Sequence, residues 1–196
     1  MITQLSQLDL NKKYSYADYL TWQFDEMVEL IKGKIYSMSP APSKKHQFIL
    51  GNIYLILGNL YKKSACKVCI APFDVKLLNN KMSTPDNEVF SVVQPDIFIV
   101  CDATKLQKLA CHGAPDLVIE ILSPGNSRKE MGIKFDLYEE NKVLEYWIVE
   151  PLNETVQIYS LQNEKYIGLK PFTVDDKIKS VLFPNLDFDI KEFFDI

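Results

Sequence analysis

Glycine and proline are scarce, 7 and 10 of 196 residues, which excludes a collagen-like fibre and a Pro/Gly-rich linker. Long apolar runs are missing as well. The greasiest stretch, Phe48 to Tyr61, carries Gly51, Asn52, Gly58 and Asn59 and falls short of the roughly 18 consecutive apolar residues a transmembrane helix needs, so no membrane association is expected. Met1 to Lys13 shows no apolar core behind a basic start and no small-residue cleavage site. It is read as an N-terminal extension without a signal peptide, with the cytoplasm as the expected location. Cysteine is limited to 4 positions, too few for a disulfide framework in a chain of this size, and all are expected to be reduced. A basic excess is lacking too. The net charge is -4 and Arg128 is the lone arginine, so there is no general footprint for nucleic acid, and contact with an anionic polymer must come from a local patch. No GxSxG turn, Gly-rich phosphate loop or dinucleotide fingerprint occurs.

What is present describes a globular domain. The chain is 47% hydrophobic, 24% charged and 12% aromatic, enough to bury a sizeable core, and residues 1–196 are expected to form one domain. Ser15 followed by Asp18 resembles a helix start, with a short helix over Tyr16 to Gln23. Met27 to Ile31 and Lys34 to Met38, joined at Lys32-Gly33, read as a hairpin. Apolar spacing predicts a long helix over Ser43 to Lys62, and Ser127 to Asn141 a second one. Between them lie an extended stretch, Cys66 to Leu78, broken at Pro72; a polar loop, Asn79 to Glu88; a strand, Val92 to Cys101, interrupted by Gln94-Pro95-Asp96; an irregular segment, Asp102 to Gly113, with room for one turn of helix; and a strand, Pro115 to Leu122. Leu144 to Val149, then Thr155 to Leu161 paired with Lys165 to Phe172, continue the sheet. The tail offers a short strand, a turn at Pro184-Asn185 and a last short helix. This order implies an α/β fold with a mixed central sheet flanked by helices.

Three acids and a lysine stand out by position. Asp96 interrupts an apolar strand, Glu120 ends the apolar run Leu117-Val118-Ile119, and Glu29 sits inside the first strand. A carboxylate on a buried strand is costly unless it is paired or bound to a cation, and two side by side invite a divalent ion. A solvent-facing strand position accounts for Glu29 equally well. Lys134, about two turns into the second long helix, shares a side with Leu137 and Tyr138 and can turn its amine into a cleft above the acids; a snorkelling surface lysine is the plainer alternative. Cys66 and Cys69 have CxxC spacing, with Cys111-His112 nearby. Residues three apart on a strand point to opposite faces, which favours separate thiols over zinc. His46, at the start of the first long helix, reads as a site residue or a capping or packing histidine.

The strings Gln94-Pro95-Asp96, Gly113 to Pro124 (with Asp116 to Glu120 inside it), Lys134 with Tyr138, and Glu145-Tyr146-Trp147-Ile148-Val149 together resemble the Uma-type restriction endonuclease family, a branch of the PD-(D/E)XK nuclease superfamily. Glu29-Leu30-Ile31-Lys32-Gly33 and Ser39-Pro40 followed by His46 resemble it too. The resemblance spans roughly Tyr14 to Phe188 and implies a restriction-endonuclease-like core. It implies that Asp96 and Glu120 are the catalytic acids that hold Mg²⁺ or Mn²⁺, that Lys134 supplies the lysine, and that Glu29 completes the metal shell or holds a ligand in place. The superfamily places its lysine two residues after the second acid, where this chain has Leu122; related branches supply it from the following helix, where Lys134 stands. Glu130 stands where many relatives carry Asp.

The resulting expectation is a metal-dependent endonuclease with DNA as partner. A nuclease-fold protein that binds nucleic acid or a partner without cutting is the alternative, and a hydrolase of another phosphate substrate is a third. Arg128 and Lys129, at the start of the second long helix, are candidate nucleic-acid contacts, as are His46 and, further out, Lys44-Lys45 and Lys62-Lys63. A homodimer is expected on the ground that a duplex cutter with one site per chain gains a second site by two-fold pairing.

Overall fold

A computed structural model describes residues 2–38, 42–78, 84–123 and 128–196, with the side chains of 128–130 left out. Ser39-Pro40 and most of the turn after Ser123 therefore lie outside the described residues. The chain opens with a one-turn helix, α1 (Tyr16–Tyr19), closed by a reciprocal cap: Ser15 Oγ accepts the Asp18 N–H, and the Asp18 carboxylate accepts the Ser15 N–H. It stops short of the expected Gln23 because the Thr21 hydroxyl and the Trp22 N–H turn back onto the Asp18 and Tyr19 carbonyls. Strands β1 (Val28–Ile31) and β2 (Lys34–Ser37) form the expected hairpin. Its turn residues Lys32 and Gly33 have φ of 52° and 80°, the mirror-image turn that suits strand twist. A Cβ on Gly33 would also meet Lys13 Cβ at 3.0 Å.

Helix α2 (Lys44–Tyr61) starts at Ser43, whose Oγ accepts the His46 N–H, and buries His46, Ile49, Ile53 and Leu57 along one side. There follow β3 (Lys67–Ile70), β4 (Asp74–Lys76), β5 (Val92–Val93), β6 (Ile97–Val100), β7 (Ala110–His112) and β8 (Leu117–Ile121), then α3 (Arg128–Glu140). The last part contains β9 (Glu145–Glu150), β10 (Thr155–Gln162), β11 (Lys165–Gly168), β12 (Lys177–Lys179) and β13 (Asp187–Asp189). Two points depart from the sequence expectation. Val92 to Cys101 is two strands, because Pro95 has no N–H for a ladder and breaks the run. The segment Asp102 to Gly113 contains β7, held by parallel pairing to β4.

The strands build a mixed six-stranded sheet, β11-β10-β9-β8-β6-β3, a five-stranded sheet, β2-β1-β5-β4-β7, and a two-stranded antiparallel pair, β12-β13. Only β8 and β9 run parallel in the first. Both its faces are covered, which is why its central strands are almost continuously apolar. On one face Ile97, Ile99, Ile119 and Trp147 pack against Ile49, Ile53 and Leu57 of α2 and the C-terminal phenylalanines. On the other, Phe98, Val118 and Tyr146 pack against Leu137 and Tyr138 of α3 and against Val75 and Val93 of the second sheet. The C-terminal segment is pinned by Glu145, a fully buried carboxylate that accepts Trp147 Nε1–H at 2.6 Å, Ser180 Oγ–H at 3.1 Å, and the N–H groups of Val181 and Leu182.

The cysteines require a correction. Cys66 and Cys101 are joined as a disulfide, not reduced. The Lys67↔Val100 register of β3 and β6 sets the two flanking residues opposite each other, a meeting the sequence does not disclose. Reduced thiols therefore lend no support to a cytoplasmic location. Cys69 and Cys111 are free. Cys66 packs into the α2 side of the sheet and Cys69 into the α3 side, the split between faces expected from their spacing. Among the described residues no helix is long and apolar enough to cross a membrane.

Candidate active site

Gln94-Pro95-Asp96 is where the chain leaves the five-stranded sheet and enters the six-stranded one. The Ile97↔Ile119 pairing of antiparallel β6 and β8 puts Asp96 directly across from Glu120. Opposed residues of such a pair point to the same face, here the face covered by α3 and the hairpin. Glu29 comes to the same place from β1, and its Oε1 accepts the Gln94 N–H at 2.9 Å. The crossover backbone thus ties the first acid to the second. Asp96 is oriented in turn: its Oδ2 accepts the Ile121 N–H at 2.7 Å and lies 3.3 Å from His46 Nε2.

Lys134 reaches in from α3. Its Nζ lies 2.9 Å from Glu120 Oε1 and 3.0 Å from Glu29 Oε1. Leu122, the next residue on the Glu120 side of β8, lines the same cleft and contributes no charge. Tyr138, one helical turn beyond Lys134, donates its hydroxyl to Glu120 Oε1 at 2.6 Å, so two residues of one helix side converge on one carboxylate oxygen.

The electrostatics follow from burial. Desolvation pushes the Glu120 carboxyl up to about 7; Lys134 pulls the other way, and Asp96 and Glu29 add to the rise. For Lys134, burial works against the ammonium, but the Glu120 and Glu29 carboxylates outweigh it and hold the group protonated well above its usual range. Burial likewise raises the Tyr138 hydroxyl, which stays a donor. At His46 burial opposes the charged form, while the bond to Asp96 favours it and prevails. His46 is itself largely buried, lines the same cleft beside Asp96, and its Nδ1 has no partner among the described residues.

The four residues Glu29, Asp96, Glu120 and Lys134 line one cleft of about 400 Å³. Of the outlying candidates, Lys45 is paired with Glu154, and Lys44 lies over the Phe48 ring. Lys62 and Lys63 are exposed at the far end of α2. Arg128 and Lys129 fall in the first turn of α3, where side chains are outside the described residues.

The residues suit a hard divalent cation in chemistry and charge. Glu29 Oε2, Asp96 Oδ1 and Glu120 Oε2 have no hydrogen bond among the described residues, which leaves three carboxyl oxygens free to take a cation. They do not form a closed cage: among the described residues no three His, Cys, Asp or Glu side chains are grouped to hold a metal.

Residues 16–191 match the family Uma2, described as "Putative restriction endonuclease". The chain belongs to this family. Among Uma2-like relatives is the "Uncharacterized protein slr1290" of Synechocystis sp., 27% identical over 150 residues, covering 75% of this chain and 74% of that protein. A crystal structure of "a putative nuclease belonging to DUF820" from Anabaena variabilis superposes with a TM-score of 0.70 at 20% identity, covering 92% of this chain and 97% of that one. At that identity the likeness establishes the fold, an α/β nuclease fold with a mixed sheet flanked by helices.

Gln94 and Tyr138, both part of the strings that carried the resemblance, build the site in ways the sequence did not assign to them. Gln94 was read as a strand interruption and as a neighbour of Asp96, with no role of its own. Its side-chain amide donates to Asp74 Oδ1 at 2.8 Å and to the Tyr19 hydroxyl at 3.3 Å, anchoring the crossover from behind. A polar side chain in a buried strand was the available signal.

Proposed function

We propose that this chain is a metal-dependent endonuclease that hydrolyses DNA phosphodiester bonds, with Mg²⁺ or Mn²⁺ held by Asp96 and Glu120. The observation that carries the reading is the face-to-face placement of these two acids on β6 and β8, with Lys134 Nζ 2.9 Å from Glu120. When bound, the divalent ion supplies polarisation of a phosphoryl oxygen and a more acidic water. The protein's own groups do the rest. The Ile121 N–H and His46 fix the Asp96 carboxylate. Tyr138 fixes Glu120. Glu29 holds Lys134, and because both its carboxylate neighbours keep the amine protonated, Lys134 acts as a fixed positive charge against the phosphate and not as a base. Leu122 cannot take that part, so α3 supplies it.

A second reading, a nuclease-fold protein that binds nucleic acid without cutting, draws on the commitment of Lys134 to two carboxylates. One experiment separates the two. Purified protein is incubated with supercoiled plasmid and with circular single-stranded DNA, in Mg²⁺, in Mn²⁺ and in chelator. Metal-dependent strand breaks that disappear in Asp96→Ala support the enzyme. Intact DNA under every condition, or breaks that persist in Asp96→Ala, refute it.

A further inference from the structure

The cleft has a wall that phosphate chemistry does not use. Met27, Glu29 and Ile31 of the first strand region and Tyr36 and Met38 of the second alternate along the hairpin, so these side chains share one face, and all of them line the cleft. Tyr36 is directly opposite Glu29 in the β1/β2 register, which puts an aromatic ring beside the acid that holds Lys134. Met27 and Met38 extend the wall outward, joined by the Met38 N–H to the Met27 carbonyl at 2.9 Å, and Met27 is 44% exposed.

Tyr36 also stands apart from the other tyrosines. The chain has 10. Among the described residues all but Tyr36 and Tyr54 pack their ring against another aromatic ring, and of those two only Tyr36 lines the cleft. The Tyr36 hydroxyl makes no hydrogen bond there either. The wall therefore offers a half-buried aromatic face and two adaptable thioethers within reach of the acids.

The charges argue for what this wall receives. Among the described residues Lys134 is the one lysine lining the cleft, and it is already matched by two carboxylates. With a net charge of -4 the molecule has no general excess of cations to grip a duplex by its phosphates. Stacking of a base on an aromatic side chain adds affinity that does not depend on charge. The volume agrees. About 400 Å³ lies within the range of roughly 300–1,000 Å³ that encloses a small organic ligand, the scale of one nucleotide and not of a double helix.

We propose that the hairpin wall takes an unpaired nucleobase stacked on Tyr36, so that the site acts on single-stranded or frayed DNA in preference to closed duplex. The inference rests on the nuclease reading for the position of the phosphate. Its test has a readout that does not need cleavage.

Binding is measured by the fluorescence of 2-aminopurine in a short single-stranded oligonucleotide, with Ca²⁺ replacing Mg²⁺, and compared with the same oligonucleotide in a blunt duplex. Wild-type protein should quench the single strand and bind it more tightly than the duplex. Tyr36→Leu keeps apolar volume at the half-buried site but removes the ring, and should weaken single-strand binding by about 5- to 150-fold, the range for losing one base–aromatic stack. Tyr36→Phe keeps the ring and should retain the wild-type preference. Thermal unfolding of both variants near the wild-type temperature assigns the loss to the ring and not to the fold. Equal binding of duplex and single strand by the wild type overturns the proposal, as does wild-type affinity in a folded Tyr36→Leu. A protein that quenches 2-aminopurine and loses this in Tyr36→Leu, yet cuts no DNA, leaves the base site standing and removes only the catalytic reading.

Discussion

Lys134 lies between Glu29 and Glu120, and its removal would leave two buried carboxylates facing each other without a counter-charge. Lys134→Ala should therefore destabilise the fold by about 3–5 kcal/mol, the range for breaking one partner out of a buried pair, as read by denaturant unfolding. Cleavage should fall by about a hundredfold or more, the scale of losing a positioned electrostatic group, while Mn²⁺ binding by calorimetry is not weakened. Lys134→Arg should restore cleavage only in part, because a planar fork does not fit a site shaped for a compact ammonium. Unchanged cleavage in a folded Lys134→Ala would make the lysine a structural residue. Glu120 adds a pH dependence. Its carboxyl stands at about 7 in the folded chain against an ordinary 4.5, so folding favours its protonated form. In the metal-free protein that contribution to stability is complete below pH 4.5 and is lost as pH rises through 7. A divalent ion competes with the same proton. Mn²⁺ affinity should therefore be roughly tenfold lower at about pH 6 than at about pH 8, and an affinity flat over that window contradicts the assignment. At this scale Asp96 and Glu120 stood out because a charge inside an apolar run needs an explanation, and Lys134 because it follows them on one helix side and matches the family's lysine. The bond from Tyr138 to Glu120 was not legible, since a tyrosine on an apolar helix side is accounted for by packing alone.

The elements that carry the site are secured by local rules. The Ser15/Asp18 cap starts α1, which presents Tyr16 and Tyr19 to Asp74 behind the Gln94 crossover. Ser15→Ala should cost about 1 kcal/mol in chemical denaturation, and no change in midpoint would show that α1 is held by packing alone. Helix α2 depends on tertiary contact. Ile53 is fully buried between α2 and the six-stranded sheet, and Ile53→Ala should cost about 2–5 kcal/mol. The β1–β2 hairpin, both long helices and β8 were readable because period and turn chemistry agree within each segment. The splitting of β5 from β6 was half-readable. Pro95 marks a break, but nothing local says that the two halves join different sheets. Strand β7 was missed because its three residues, Ala110-Cys111-His112, have no alternation of their own and are extended only by pairing with β4.

On the scale of the whole molecule, the acidic balance limits how DNA can be held. With Lys134 the one lysine in the cleft among the described residues, single-strand affinity should fall only shallowly with salt, with a log–log slope near −1; a slope several times steeper would point to a basic track elsewhere on the surface. The disulfide is checked independently. Unfolded but unreduced protein should take 2 alkyl groups, at Cys69 and Cys111, and all 4 cysteines should react after reduction. In the folded state Cys111 should be slow, because burial pushes its thiol up to about 12.

The sequence by itself determined the α/β class, the strand-and-helix order from Leu117 to Glu150 and the hairpin, and it marked Asp96 and Glu120 as acids in apolar strands. These rest on interactions between residues close in the chain: apolar period, capping and turn geometry. Tertiary structure alone decided which distant residues meet. Glu29 and Lys134 are 105 positions apart and Cys66 and Cys101 are 35 apart. Their contacts follow from strand register and from the crossover at Gln94-Pro95-Asp96 between two sheets. Register is set by the packing of whole faces, in which every core side chain takes part, so no short stretch of sequence contains it.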